Sequence, residues 1–403
     1  MIGSLEVFSF LTIIFGLMLI DLVPLQETMT CKDHKNTTKC PEIYFSMDYQ
    51  SAREKFLNSA RAVKAEIKNH LVFTRGDMHY YMDTAFFKGE HSDKLIVHVS
   101  GIRGVDGYIG SGIQNKILND WNKSSPRLPS VLFIHAVNPY GMVHNRLFNE
   151  EGVDLNHNYF LKEEWDEIKC QNSNTEGYII LKELQKLSTT PRLIDRYLFF
   201  LHFIKLTVKY GYSSIKKAIN TGQDQDPKTI FYNGDRVQSS ISILQDLLQT
   251  YSKGVTEAII INVQTSPGSY GKESILVYSK TGKELSERIF GKKRIQGSVV
   301  AMDATGCGQG RTVGAIRLAL GLAPKTLVVT EAFGNVSPLL AIRSIVLESA
   351  ASNACPGSYA HHVTSMWLRE AFYPQETKYK QTVLLNGVQA FDDVVQYLSN
   401  ATS

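Results

Sequence analysis

An arginine and an aspartate, Arg103 and Asp106, sit in a glycine-punctuated turn at residues 100–112, directly after the apolar, β-rich run 95–99. Open α/β sheets place ligands beyond the carboxyl ends of their strands, which makes this turn a place for chemistry. A guanidinium there pairs with carboxylates, and a carboxylate beside it either neutralises it or handles protons. Three further polar positions leave the ends of strand-like runs: the segment 138–160, Gln264 and Glu331. They converge with Arg103 and Asp106 if the strands lie in one sheet, but the set names no reaction by itself. There is no Gly-x-Ser-x-Gly elbow and no His-Glu-x-x-His pair. The glycine-rich run 306–312 lacks the Gly-Lys-Ser/Thr ending of a phosphate loop and reads as a cap for the next helix. His361 and His362 are adjacent, which points their rings apart and suits a surface. His98 and His135 lie within apolar runs and read as core histidines.

The elements that must position these residues follow from hydrophobic periodicity. Ala52, Phe56, Ala60, Val63 and Ile67 recur at helical spacing and predict one helix over 49–71. Strands are expected at 78–86, 94–99, 130–137, 228–232, 258–263, 274–278, 298–302 and 326–329. Helices are expected at 109–118, 176–187, 191–210, 239–251, 311–320, 338–351, 364–372 and 387–398, with 191–210 mostly buried. Asn138 to Gly141 forms a turn, and the dense polar run 144–160 after it is either a site loop or an ordinary solvated loop. Alternating strands and helices without a repeat predict one large α/β domain with a mixed, mostly parallel sheet.

Composition narrows the setting. The chain has 403 residues, is 43% hydrophobic and carries a net charge of +4 without a basic block, so nothing points to nucleic acid. Residues 7–20 are apolar, a length that suits a signal-peptide core better than a spanning helix. No Lys or Arg precedes the run and no small-x-small site follows it, which leaves an uncleaved membrane anchor as the alternative for residues 1–25. Residues 26–42 read as a polar linker, and 43–400 as the folded domain. The expected location is the secretory pathway or outside the cell, with membrane contact only through residues 1–25 if they stay attached. Cys31 and Cys40 flank a polar stretch and can close a small loop, while Cys170, Cys307 and Cys355 leave one thiol over. Glycosylation triplets occur at Asn36, Asn122, Asn335 and Asn400, with Asn36 and Asn400 the best placed.

At the same strand ends the chain resembles the zinc carboxypeptidase superfamily, and within it a poorly characterised carboxypeptidase-like branch. Residues 100–112 resemble that branch's Ser-Gly-Thr-His-Gly-Val-Glu-Gly motif. Residues 135–141 and 152–159 resemble its His-Ala-x-Asn-Pro-x-Gly and Asn-Val-Asp-Leu-Asn-Arg-Asn-Phe, and 262–271 its Asp-Leu-His-Thr-Gly-Leu-Gly-Pro-Tyr-Gly. Phe333-Gly334 with Ser337-Pro338 resembles the segment bearing the catalytic glutamate. The resemblance implies a single carboxypeptidase-like α/β/α domain.

The departures fall on the chemistry. The family's zinc ligands correspond to Arg103, Asp106 and Gln264. Aspartate can ligate zinc, glutamine is a poor ligand, and arginine has no lone pair to give. A guanidinium ~4 Å from a divalent ion is repelled by roughly 8 kcal/mol at an effective dielectric near 20. Ala332 takes the catalytic glutamate's position; Glu331 is one residue earlier, on the opposite strand face unless a bulge rescues it. Among the family's substrate-carboxylate positions Asn156 and Arg146 match, while His157 and Leu147 replace arginines. The expectation is an inactive, zinc-free protein with no cofactor, whose pocket of Arg103, Arg146, Asn156 and His157 holds a peptide C-terminus or another carboxylate. Arg103 would pair internally with Asp106 and Gln264, so that Arg103→Ala lowers stability. The alternative is a zinc hydrolase rebuilt around Asp106, Glu331 and a distant histidine.

Overall fold

The computed structural model describes residues 40–121, 128–158, 175–186, 192, 194–277, 280–296 and 324–400. Residues 1–39, the expected strand at 298–302 and the expected helix at 311–320 lie outside them, as do Asn36, Asn122, Cys31 and the loop 306–312.

The first helix, α1 (Tyr49–Ala62), starts on an Asp48 side chain that accepts from the Ser51 amide. It is shorter than its periodicity predicts. Lys64 adopts a left-handed conformation (φ 58°), and the chain turns into β1 (Glu66–Arg75), an edge strand that hairpins with β2 (Met78–Phe87). The expected helix over 49–71 is therefore a helix and a strand. Next come β3 (His91–Ser100), a 3₁₀ turn at Gly104–Asp106, α2 (Gly107–Asn119), β4 (Pro129–His135) and α3 (Pro139–His144). Then follow α4 (Thr175–Gln185), α5 (Asp195–Tyr210), α6 (Tyr212–Thr221) and α7 (Ser239–Tyr251). The chain closes with β5 (Glu257–Ser266), β6 (Glu273–Val277), α8 (Lys280–Phe290), β7 (Ile295–Gln296), β8 (Lys325–Gly334), α9 (Pro338–Ala354), α10 (Tyr359–Phe372) and α11 (Thr377–Asn400).

Among the described residues the sheet has eight strands in the order β1-β2-β4-β3-β5-β8-β6-β7. The central pairs β4–β3, β3–β5 and β5–β8 are parallel, and β1–β2, β2–β4 and β8–β6 are antiparallel. This is the mixed α/β sheet expected, parallel in its centre. One face packs on α1, α2 and α11 through Phe133, Ile261, Val329 and Phe391. The other packs on α7 through Val97, Ile134, Ile260 and Leu244. Strand side chains alternate between the faces, so neighbours in sequence go to different cores. A third cluster joins α4, α5 and α6 to α9 and α10.

Three smaller expectations need correction. Residues 228–232 form no strand; Tyr232 makes only isolated bridges to Val153 and Gln223. Helix α5 is not mostly buried, since Ile204 and Val208 face outward. Asn335 is buried and donates toward Thr265 Oγ1 at 3.4 Å, so it is inaccessible as a glycosylation site, whereas Asn400 is exposed. His98 and His135 are fully buried, as expected of core histidines; burial pushes their pKa values down to about 3 and about 4. Among the described residues no helix is long and apolar enough to cross a membrane. Cys40 is disulfide-bonded, and Cys355 is a free thiol.

Candidate functional site

The turn after β3 is built by close backbone approach. Gly104 has φ +64°, and a Cβ there would stand 2.3 Å from the Arg146 carbonyl oxygen and 2.6 Å from the Gly141 Cα. Only glycine fits. The Val105 amide donates to the Arg146 carbonyl (3.0 Å), and the Asn138 amide to the Gly101 carbonyl (2.7 Å), which locks this turn to the segment after β4. Ala136, at the end of β4, is itself left-handed (φ 64°), a strained conformation of the kind concentrated at functional sites.

Asp106 is fully buried at the end of that turn. Its Oδ2 accepts from the Thr265 amide at 3.2 Å, and its Oδ1 has no hydrogen-bond partner among the described residues. Burial pushes its pKa up to about 7, against the opposing pull of Arg103. Arg103 is close enough to act on Asp106 electrostatically but makes no hydrogen bond to it, and its Nε is buried without a partner. Its guanidinium lies 5.9 Å from the centre of the Phe372 ring. The internal pairing expected of Arg103 with Asp106 and Gln264 is therefore absent among the described contacts. The Tyr379 hydroxyl of α11 is a third buried polar atom without a partner, and Asp106 acts on it electrostatically. Tyr379 carries no motif and lies outside the helix expected at 387–398, which in the structure begins ten residues earlier, at Thr377.

Gln264 pairs elsewhere. It lies on the α7 side of β5, where its Nε2 donates to Asn156 Oδ1 at 2.9 Å and its Oε1 accepts from Asn156 Nδ2 at 3.4 Å. This joins a zinc-ligand position to a carboxylate-binding position, and each amide occupies the other. Asn156 is held by the 3₁₀ turn Leu155–His157, where Asp154 accepts from the Asn156 amide (3.0 Å) and lies 3.9 Å from His157 Nδ1. The polar run 144–160 is not an ordinary solvated loop over its described part: residues 146–149, 153–155 and 157–158 are buried. Asn149 and Asn158 bond Gln238 and the 233–236 backbone, so the amides stitch this segment to the chain before α7.

Arg146 goes to a different place. It is an ion-pair partner of the fully buried Glu348 of α9 (2.8 Å), and it lines a cavity formed with α9 and α10. Glu331 also departs from the candidate set. In register, Ala332 stands beside Gln264, so Glu331 faces the other side of the sheet. There it lies beside Glu273; burial and that neighbouring carboxylate raise its pKa well above the usual range. Arg294 holds Glu273 through two hydrogen bonds of 2.7 Å and also reaches Asp393. No bulge returns Glu331 to Asp106.

These residues do not fit zinc. Arg103 offers no electron pair, Gln264 is committed to Asn156, and Asp106 alone is not a site. Among the described residues no cluster of three His, Cys, Asp or Glu side chains has metal-binding geometry.

The described architecture is that of an α/β protein with a mixed sheet, parallel at its centre, and with its polar turns at the strand ends. The chain belongs to the family described as "Protein of unknown function (DUF2817)", which it matches over residues 45–386. No curated protein sequence matches it. Similar solved structures include bovine thrombin-activatable fibrinolysis inhibitor in complex with tick carboxypeptidase inhibitor (11% identity, TM-score 0.46, 89% of this chain and 100% of that one). Carboxypeptidase A from Helicoverpa armigera is another (10% identity, TM-score 0.46, 87% and 80%). A third is described as a succinylglutamate desuccinylase/aspartoacylase from Shewanella frigidimarina (13% identity, TM-score 0.33, 72% and 70%).

Proposed function

We propose that this protein is a non-hydrolytic member of the carboxypeptidase-like proteins, and that it binds a carboxylate, such as a peptide C-terminus, at the strand ends where a zinc enzyme would hold its metal. One observation carries the reading. Arg103 Nε, Asp106 Oδ1 and the Tyr379 hydroxyl are buried polar atoms without partners among the described residues, and Asp106 interacts electrostatically with both of the others. Buried polar groups are nearly always hydrogen-bonded, so such a grouping is suited to an outside acceptor. A carboxylate supplies two oxygens to a guanidinium and a phenol, and a protonated Asp106 adds a third donor. Of the pocket read from sequence, Arg103 remains available at the strand ends, whereas Asn156 is bonded to Gln264 and Arg146 is turned toward Glu348 and a different cavity. The rebuilt zinc hydrolase has no support in the placement of Glu331.

The same reading puts the chain in an oxidising, secretory setting, on the strength of the apolar run at 7–20 and the disulfide at Cys40.

Two measurements on the full chain test this. After dialysis against trace zinc, elemental analysis is expected to find far less than one zinc per chain; near-stoichiometric zinc overturns the non-hydrolytic reading. Titration with a short peptide and its C-terminal amide is expected to favour the free acid by about tenfold. Equal affinity, or none for either, overturns the carboxylate reading.

A further inference from the structure

The cavity that takes Arg146 is separate in its chemistry from the strand-end site. Its volume is about 960 Å³, at the upper end of the range usual for small-molecule sites. Its wall is polar: Thr229, Ser349, Ser352, Asn353 and Ser358 contribute hydroxyls and an amide. Its floor is a fixed cation. Arg146 is 8% exposed, and Glu348 holds its Nε side at 2.8 Å, while its two Nη atoms make no hydrogen bond among the described residues. His361 backs the same carboxylate. Its Nδ1 accepts from the Gly357 amide (3.0 Å), so its proton is on Nε2, 3.6 Å from Glu348. That arrangement aims the guanidinium rather than leaving it loose.

Charge counting around the cavity gives a surplus. Three full cations line it: Arg75, Arg146 and Lys228. Glu348 compensates Arg146. Of the two carboxylates in the lining, Glu151 is engaged by Arg236 and burial raises the pKa of Glu150; with both counted as charged the lining still holds one cation in excess. Arg75 and Lys228 are exposed at the rim and have no ion-pair partner among the described residues. His144 stands among the same charges: burial depresses its pKa to about 4, with Arg75, Arg146 and His361 adding to that and Glu348 opposing it. Helix α10 adds to it, since its N-cap Ser358 lies in the wall and presents the positive end of the helix.

We propose that this cavity binds a small dianionic ligand, a phosphate monoester or a dicarboxylate, seated on Arg146 and balanced by the rim cations Arg75 and Lys228. Three cations face such a ligand, Arg146 through its open Nη atoms and Arg75 and Lys228 from the rim, and the hydroxyl-rich wall suits its polar body. Lys228 and Arg75 are exposed, so replacing them tests the site without disturbing the core.

The experiment is calorimetric titration of the full chain carrying Arg103→Ala, which removes carboxylate binding at the strand ends, with phenyl phosphate, with succinate, and with propionate as a monoanionic control; this chain is the parent for the comparisons that follow. One dianion is expected to bind at least about tenfold more tightly than propionate, and Lys228→Gln with Arg75→Gln is expected to weaken it by about tenfold. The melting temperature of the unliganded double variant should equal that of the parent. A preference for phenyl phosphate identifies a phosphoryl ligand, and a preference for succinate a dicarboxylate. The proposal is overturned if neither dianion outcompetes propionate, or if the double variant binds as the parent does. Neither result touches the strand-end reading, which is tested by zinc content and by the peptide acid and amide.

Discussion

Arg294 and Arg103 each stand beside a buried carboxyl, one on either side of the β5–β8 pair, and the fold uses them in opposite ways. Arg294 spends its donors on Glu273 and Asp393 and so permits a third carboxyl, Glu331, to lie buried next to them. Arg103 bonds no carboxylate among the described residues; it lies over Phe372, while Asp106 and Tyr379 keep unpartnered polar atoms nearby. An arginine whose donors are consumed holds a fold together. An arginine left unbonded among other unbonded groups is available to a ligand. The difference separates a structural acid cluster from a candidate site, although both contain the same residue types.

The two arginines should differ most in what their removal costs, and Arg294 carries the larger cost. Arg294→Leu strands Glu273, Asp393 and Glu331 together, and loss of one partner from a buried pair costs about 3–5 kcal/mol. Chemical denaturation at neutral pH should show the largest loss of stability here; a loss below about 1 kcal/mol, the ceiling of surface pairs, would place Arg294 among exposed ion pairs.

The next effect has the opposite sign and comes from Asp106. Its folded pKa of about 7 lies above its ordinary 3.8. Ionising it therefore disfavours the folded state: the penalty is absent below the ordinary value, grows as pH rises between the two, and is complete above about 7. Asp106→Asn keeps the shape of the protonated acid. It is expected to raise stability at pH 8 by up to about 4 kcal/mol and to leave it unchanged near pH 4. Denaturation midpoints at the two pH values check this; an equal shift at both would mean that Asp106 is ionised throughout.

Arg103→Ala gives the smallest stability change, under about 1 kcal/mol, because a ring contact and a longer-range attraction to Asp106 are lost but no hydrogen bond. The same substitution should abolish binding of the free peptide acid. A large fall in melting temperature would restore the internal pairing suggested by sequence and would remove the distinction between the two arginines.

Much of the sheet was legible. The runs at 94–99, 130–137, 258–263 and 326–329 correspond to β3, β4, β5 and β8, because buried central strands are continuously apolar. Helix α7 matched its expected bounds, 239–251. Strand β1 was hidden because an edge strand alternates weakly and the break before it falls at Lys64, which carries no glycine signal. At the site, the substitutions at Arg103, Asp106 and Gln264 were readable as types, and the face of Glu331 followed from strand alternation. Their partners were not readable. Asn156, Glu348 and Tyr379 are brought in from distant segments by crossovers, and nothing local in the chain announces those encounters.

The parallel pairing of β3 with β5 has a consequence for how the protein is made. Ser100 and Val263 close the register that carries Arg103 and Gln264 to the same end of the sheet, yet the chain between β3 and β5 runs for roughly 150 residues. At a synthesis rate of about 5–20 residues per second, one side of β3 waits on the order of 10–30 s for its neighbour to emerge. Over that interval the backbone edge of β3 that β5 will pair lacks its partner, and Leu95, Val97 and Val99 lack the α7 side chains that cover their face in the finished fold. Yield in a cell should thus depend on chaperone supply and translation speed more than on any single contact of the finished sheet.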